Sequence, residues 1–415
     1  MAYNTLDPLP SLDDIALANK DWVQMQQEHA DPINGTVGVL LDQSTGKALQ
    51  PMVVQDARRQ GLEEILSGNT FGYQTQKGHE PFLNAVSEWV LGPELYENRR
   101  NNLQKLQALG GTGALTMASV ALGAMLSNPG QAKPSLELEA GWGNHKSIFG
   151  DVFNISSYEH LDEAGNYNHV GALGAIEKLH PEAAVLLQAC GYNDDGIDRT
   201  PEQWDELFVP IKKKGHAVII DAAYLGLADG FEADTYPIRK CVSEDILSFI
   251  CISASKNMGL YNSRVGALLI ANADANRGRD QAERIIGKIP AWVRKTYSNP
   301  PLETVYGAGL VLGDTNLRRQ LETEIEASRQ LLQLNRRSLA AILGDKAPTI
   351  GAGKGLFMKL QPEAFSDEQQ ALFRQKGILV LRSSARFNIG GIKPEHIQRV
   401  GSAFLEALAL RPKLS

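Results

Sequence analysis

Apolar and polar positions along this chain fall into two regimes. In the middle, short runs at residues 136–139, 184–188, 217–221, 246–253 and 266–271 read as buried strands. Between them lie helical patterns. Residues 201–214, for example, follow Thr200 with a proline and then a glutamate, the start signal of a helix. This alternation predicts an α/β domain on a mostly parallel, mixed sheet flanked by helices. Sheets of that kind bind ligands at the carboxyl ends of their strands.

From residue 315 onward the pattern changes. Residues 315–343 are rich in Leu, Glu, Gln and Arg, have no Gly or Pro before Gly344, and predict one long helix. A glycine-rich turn at 351–355 follows, then a strand at 356–360, a helix near 366–376, a strand at 378–381 and a closing helix at 394–410. This layout predicts a second, smaller α+β domain. The N-terminal segment, with turn signals at Asn34-Gly35 and Thr45-Gly46, is expected to pack with it. The expected division is a large domain over 49–314 and a small one over 1–48 and 315–415.

Composition narrows the function. The chain has 415 residues, 43% of them hydrophobic, enough for a large core. Its net charge of −7 and dispersed Lys and Arg do not suit a nucleic-acid surface. The longest basic run, Lys212-Lys213-Lys214, reads as a solvated helix end. Cys190, Cys241 and Cys251 are odd in number and lie in or near apolar runs, so buried thiols are expected rather than a disulfide framework. The N-terminus does not read as a signal peptide, and no apolar run approaches the ~18 residues of a membrane span. A cytoplasmic setting is the expectation.

The most specific chemistry lies in Ser253-Ala254-Ser255-Lys256-Asn257-Met258-Gly259-Leu260-Tyr261-Asn262-Ser263-Arg264-Val265-Gly266. A lysine emerges at the end of a buried strand, with two hydroxyls before it and an arginine after it. Burial lowers a lysine pKa, and a neutral amine attacks carbonyls. The hydroxyls and the arginine suit a phosphate. Carbonyl and phosphate together point to pyridoxal phosphate. The spacing Ser253-x-x-Lys256 also matches serine β-lactamases, but no Lys-Thr-Gly occurs in the chain.

Three further features converge. Gly110-Gly111-Thr112-Gly113 precedes the helical run 114–126 and suits either an anion or an ordinary turn. Asp221 ends an apolar strand and reads either as a helix cap or as the carboxylate that keeps a pyridine nitrogen protonated. Tyr224 follows it. Arg294 and Arg386 suit surface ion pairs singly, and together suit a substrate with two carboxylates.

With these residues in place, the chain resembles the class I aminotransferases of pyridoxal phosphate fold type I, in the aspartate and aromatic amino-acid branch. The lysine segment carries the resemblance, with Gly110-Gly111-Thr112-Gly113, Asn144-His145-Lys146-Ser147 and Tyr297-Ser298-Asn299-Pro300-Pro301 in the family order. The resemblance implies that Lys256 bonds the cofactor and shuttles the proton. Asp221 would pair with the ring nitrogen, Asn193 and Tyr224 would hold the ring oxygen, and Trp142 would stack on the ring. Gly111, Thr112, Ser253, Ser255 and Arg264 would cradle the phosphate. Arg386 would bind the substrate α-carboxylate, with Gly38, Trp142 and Asn193 beside it. Tyr73, in Phe71-Gly72-Tyr73, and Arg294 would reach the site of the other subunit, which implies a homodimer with shared active sites.

The implied reaction is ping-pong transfer of an amino group from an acidic or aromatic L-amino acid to a 2-oxo acid. A β-lyase, a decarboxylase, or a non-catalytic regulatory protein on the same fold are the alternatives. Two loops depart from the family. Asn193-Asp194-Asp195-Gly196 stands for Asn-Pro-Thr-Gly, and Glu139-Ala140-Gly141-Trp142 stands for Asn-Pro-x-Trp. Both loops are expected to be built differently here, and Asp194 and Asp195, if they face the pocket, would repel a second substrate carboxylate.

Overall fold

The computed structural model describes residues 14–42, 45–68, 72–127, 132–139, 141–273, 286–360 and 364–410. Phe71 and Ala140, named above within motifs, lie outside the described residues. The strands are β1 (Ile33–Asn34), β2 (Gln104–Leu109), β3 (Ser135–Glu139), β4 (Asn154–Tyr158), β5 (Ala184–Gln188), β6 (Ala217–Ala222), β7 (Ser248–Ser253), β8 (Val265–Ala271), β9 (Phe357–Lys359), β10 (Ile378–Leu379) and β11 (Arg386–Asn388).

Every residue of β5, β6, β7 and β8 is buried. Side chains on a strand alternate between faces, so a continuous apolar run must be covered on both sides. Val218, Ile220 and Ala222 of β6 enter one apolar cluster, and Ala217 and Ile219 enter another. The same split runs through β5, with Val185 and Leu187 on one side and Ala184 and Leu186 on the other. The resulting sheet has seven strands in the order β2-β8-β7-β6-β5-β3-β4. β4, β3, β5, β6 and β7 are mutually parallel, and β8 runs antiparallel to both β7 and β2. The carboxyl ends of β2, β3, β5, β6 and β7 therefore lie along one edge, where the start of β8 meets them.

Pattern reading located β3, β5, β6, β7 and β8 to within two residues but missed β2 and β4. β2 carries Gln104, Lys105 and Gln107, and its buried Gln107 is satisfied through the Pro301 carbonyl and the His79 N–H. β4 is an edge strand, Asn-Ile-Ser-Ser-Tyr, with only Tyr158 buried. Neither has an apolar run. The helix Gly110–Leu126 begins at the first glycine rather than after a glycine turn, because the residues after Leu109 enter the helix at once.

Helix ends follow local chemistry. Thr200 and Gln203 form a reciprocal capping box at the start of Pro201–Lys214, and Gly215 ends it at φ 67°. Lys212 and Lys213 are exposed there. Asp314 caps Thr315–Leu343 by accepting from the Asn316 and Leu317 N–H groups. The three cysteines are free and buried. No described helix is long and apolar enough to cross a membrane.

The segment around β1 joins the C-terminal part of the chain. β1 pairs in parallel with β10, and β11 pairs antiparallel with β9. Asn388 Nδ2 donates to the Val37 and Val39 carbonyls at 2.7 and 2.8 Å, which ties the N-terminal segment to β11. The closing element is a 3₁₀ turn at Pro394–His396 running into the helix Ile397–Ala409. Its Phe404 packs edge-on against Phe373 and Phe387, at 5.0 and 5.1 Å between centroids. Phe387 directly follows Arg386, so this aromatic cluster sets the strand that presents the arginine. Phe404→Ala is expected to destabilise the protein by about 3–5 kcal/mol, as measured by urea unfolding.

Candidate active site

The strand ends open onto a cavity of about 780 Å³. Of the site residues singled out in the sequence, twelve line it: Gly38, Gly111, Thr112, Trp142, Asn193, Asp221, Tyr224, Ser253, Ser255, Lys256, Arg264 and Arg386. Two do not. Tyr73 is 88% exposed, and Arg294 is an exposed side chain whose Nη1 donates to Ser298 Oγ at 2.6 Å.

Asp221 sits near the carboxyl end of β6, within the strand rather than at a helix cap, and is 7% exposed. Its Oδ2 is 2.8 Å from Nε2 of the fully buried His145. Its Oδ1 is buried without a hydrogen-bond partner among the described residues. An unpaired carboxylate oxygen is costly in such a place, and here it belongs to a cavity-lining residue. It fits an N–H donor brought by a ligand.

Lys256 lies on the turn after β7, and its Nζ is 5.3 Å from the Tyr261 ring centroid. Burial, and then the charge of Arg264, bring its ammonium down to about 8, with Asp221 opposing. Around it the polar groups are tightly spaced. Ser253 Oγ donates to Ser255 Oγ at 3.1 Å, and Arg264 Nη1 reaches the Tyr261 carbonyl at 2.9 Å. Arg264 holds φ 55°, a left-handed conformation for a non-glycine residue. The helix N-terminus closes the other side. A Cβ on Gly111 would come within 2.9 Å of Ser253 Cβ, and one on Gly110, at φ 71°, within 2.4 Å of Arg264 Nη2. Backbone N–H groups, hydroxyls and a guanidinium thus converge without intervening side chains, a cradle for a phosphate.

Across the cavity, Asn193 Nδ2 donates to the Tyr224 hydroxyl at 2.7 Å. Burial, above all, pushes the Tyr224 phenol up, so it remains a neutral hydroxyl near neutral pH. Arg386 donates from Nη1 to Asn193 Oδ1 and from Nη2 to the Thr36 carbonyl, the latter at 3.3 Å. Its guanidinium lies 4.3 Å from the Phe357 ring centroid, and its buried Nε has no partner among the described residues. Gly38 rests against the same ring, where a Cβ would come within 2.6 Å of Phe357 Cζ. The Trp142 ring meets His145 edge-on at 5.0 Å.

The aminotransferase class I and II family profile matches residues 37–404. The chain belongs to that family. It is 28% identical to a tyrosine aminotransferase of Klebsiella pneumoniae over 393 residues, 92% of this chain and 95% of that protein. It is 32% identical to a mitochondrial aspartate aminotransferase of Schizosaccharomyces pombe over 297 residues, 71% of this chain and 66% of that protein. Among solved structures, an aromatic-amino-acid aminotransferase from Burkholderia pseudomallei, covalently bound to pyridoxal phosphate, superposes with a TM-score of 0.86 at 26% identity. That alignment covers 98% of this chain and all of the other.

The structure adds residues that the sequence reading did not assign. His145 supports Asp221, although the motif that contains it was visible. Gln188, Phe357 and Ser384 also line the cavity of this aminotransferase. The two acids of the proline-free loop part company. Asp194 faces the cavity but is paired with Lys359 Nζ at 2.7 Å. Asp195 is buried elsewhere, with Oδ1 accepting the Ile197 N–H at 2.7 Å, and burial raises its carboxyl to about 6. The repulsion expected of both acids therefore has only Asp194 as a source, and Lys359 offsets it.

The lowered Lys256 pKa has a kinetic consequence. The amine is protonated below about pH 8 and neutral above it, so the nucleophilic form grows about tenfold per pH unit on the acid side and then levels off. Covalent uptake of pyridoxal phosphate by cofactor-free protein is expected to follow that curve in stopped-flow absorbance. A rate still rising steeply from pH 9 to 10 would contradict it.

Proposed function

We propose that this aminotransferase uses pyridoxal phosphate to move the amino group of an acidic or aromatic L-amino acid to a 2-oxo acid such as 2-oxoglutarate, in two half-reactions. The observation that carries the reading is the free, buried Oδ1 of Asp221 in the cavity that also holds Lys256. The residues present fit the cofactor. Asp221 offers a carboxylate to a pyridinium nitrogen, Lys256 an amine to the aldehyde, and the cradle between Gly111 and Arg264 a place for the phosphate. Bound there, pyridoxal phosphate supplies an electron sink for the bond broken at the substrate Cα.

The remaining steps belong to side chains. Lys256, as a free amine, would take the proton from the substrate Cα and deliver it to the former aldehyde carbon of the cofactor. Its depressed pKa lets it act as a base near neutrality. Asp221 would keep the ring nitrogen protonated, and His145 holds that carboxylate in place. Asn193 and Tyr224, already joined by a hydrogen bond, would hold the ring oxygen. Trp142, which lines the cavity, would cover one face of the ring. Arg386 takes the α-carboxylate as a bidentate fork and so orients the Cα–H bond for proton removal.

Tyr73 and Arg294 are exposed in the single chain, which suits the assignment of both to the site of a second subunit. A homodimer with shared sites belongs to the proposal, as do a division into domains over 49–314 and over 1–48 with 315–415, and a cytoplasmic setting. In that dimer Arg294 receives the side-chain carboxylate of an acidic donor.

Purified protein with pyridoxal phosphate is expected to be yellow, and Lys256→Ala to lose both the visible absorbance and amino transfer. A wild type that stays colourless after cofactor is added would sink the reading. Release of ammonia or carbon dioxide without transfer to 2-oxoglutarate would reassign the reaction to a lyase or a decarboxylase. In a panel of amino donors, Arg294→Ala is expected to lower kcat/KM for aspartate and glutamate about 10–100-fold while leaving aromatic donors little changed. An equal loss across all donors removes the assigned role of Arg294.

A further inference from the structure

A cluster of buried charged side chains lies behind the cavity wall, outside the residues given roles above. Glu139 ends β3, three residues before Trp142, and is fully buried. Its Oε1 accepts from Arg199 Nη2 and lies 3.3 Å from His160 Nδ1. Its Oε2 accepts the Gln188 N–H at 2.8 Å. Arg199 also donates to the Tyr158 hydroxyl at 2.9 Å and sits 4.5 Å from the ring centroids of both Tyr167 and Trp204. His160 stacks on Tyr192, 3.4 Å between centroids and 5° between planes, and its Nε2 bonds the Ile197 carbonyl at 2.8 Å.

Two routes lead from this cluster to the cavity. Gln188, whose N–H is held by Glu139, accepts the Asn193 N–H on Oε1 at 3.0 Å, and Asn193 in turn contacts Tyr224 and Arg386. Gly141, next to Trp142, packs against the Gln188 amide and the Tyr192 ring, where a Cβ would come within 2.8 Å of each. The loops reached are the two that lack the family's usual proline. We propose that Glu139, Arg199 and His160 are positioning residues that together hold Trp142 and Asn193 in their places on the cavity wall.

The cluster acts as a fixed brace rather than a switch. Burial alone would raise the Glu139 carboxyl, but Arg199 and then His160 hold it down at about 2, so it stays ionised through the working pH range. The titratable groups facing Glu139 are Arg199, His160 and Tyr158, with Tyr192 and Asp195 beyond the His160 ring. Those facing Tyr224 and Asn193 are Arg386, Asp221 and Tyr261. Removing one member of a buried ion pair leaves the other charge uncompensated, so neighbouring loops shift to rehydrate it. Removing both charges spares stability but not the geometry that the pair imposed.

This inference rests on the pyridoxal phosphate reading of the cavity, and its readout is chosen to separate the two. The pH midpoint of the bound cofactor's visible absorbance reports the donors at the ring oxygen, because weaker donation there raises it. It is compared, with the thermal midpoint, kcat and KM, in wild type, Glu139→Gln, Glu139→Gln/Arg199→Met and Arg199→Lys. The first two variants are expected to raise the pH midpoint by about one unit and to lower kcat about 10–100-fold, with KM less affected. The double variant is expected to recover the thermal midpoint but not the pH midpoint, whereas Arg199→Lys keeps the ion pair and stays near wild type in both. A double variant that is folded and yellow with the wild-type pH midpoint overturns the positioning role alone. A wild type that takes up no pyridoxal phosphate overturns the cavity reading and this inference with it.

Discussion

Asp221 is a carboxylate on a strand that is otherwise apolar, with one oxygen held by His145 and the other left without a partner among the described residues. A buried oxygen of this kind is destabilising unless something donates to it. The position is tolerable because the strand ends at a cavity, and because a parallel sheet already gathers the ends of its neighbours there. Lys256 and the phosphate cradle follow from the same geometry. They occupy the turn after β7 and the helix start after β2, and both strands run in the direction of β6. The fold thus brings the carboxylate, the amine and the anion-binding helix end to one place before any ligand arrives.

The cavity is also weighted toward positive charge. Lys256, Arg264 and Arg386 all line it, against Asp221 and the Lys359-paired Asp194. The cations act on one another: Arg264 and Arg386 both help to lower the Lys256 pKa, and burial lowers that of Arg386. Anionic groups bound among these cations would relieve this mutual repulsion. Burial, and after it the same repulsion, eases deprotonation of the lysine amine. Reactivity therefore rests on burial first and on this charge distribution second.

Much of this was legible in the sequence, for identifiable reasons. Strands buried on both faces leave apolar runs, and the helix start leaves Thr200, Pro201 and Glu202, so both classes of element could be placed closely. The residues of the lysine segment are near in sequence and stay near in space. What pattern reading missed lacks such a signal. β4 lies at the sheet edge and is mostly polar, while the polar residues of β2 are satisfied by distant loops. His145 supports Asp221 from 76 positions away in the chain, and nothing in the local pattern says which carboxylate it meets. Asp194 and Asp195 are adjacent and chemically alike, yet one faces the cavity and the other turns away. That choice is made by Lys359 and the Ile197 N–H, which sequence order cannot rank.

The proline-free loops show how one constraint can replace another. A proline stiffens a loop through its own ring and needs no partner. Here neither segment has such a proline; Gly141 packs against the Gln188 amide and the Tyr192 ring, and Asn193 is tied to Gln188, which the buried Glu139 holds. A charged cluster such as that around Glu139 contributes little net stability once desolvation is counted, but it tolerates few alternative arrangements, because each misplacement leaves a charge or a donor unsatisfied. Its members come from three separate stretches: the end of β3, the loop after β4, and the segment before the helix at Pro201. Rigidity at Trp142 and Asn193 therefore depends on the tertiary fold rather than on local backbone chemistry. The same dependence makes Gln188 a central joint, since its backbone answers to Glu139 while its side chain answers to Asn193.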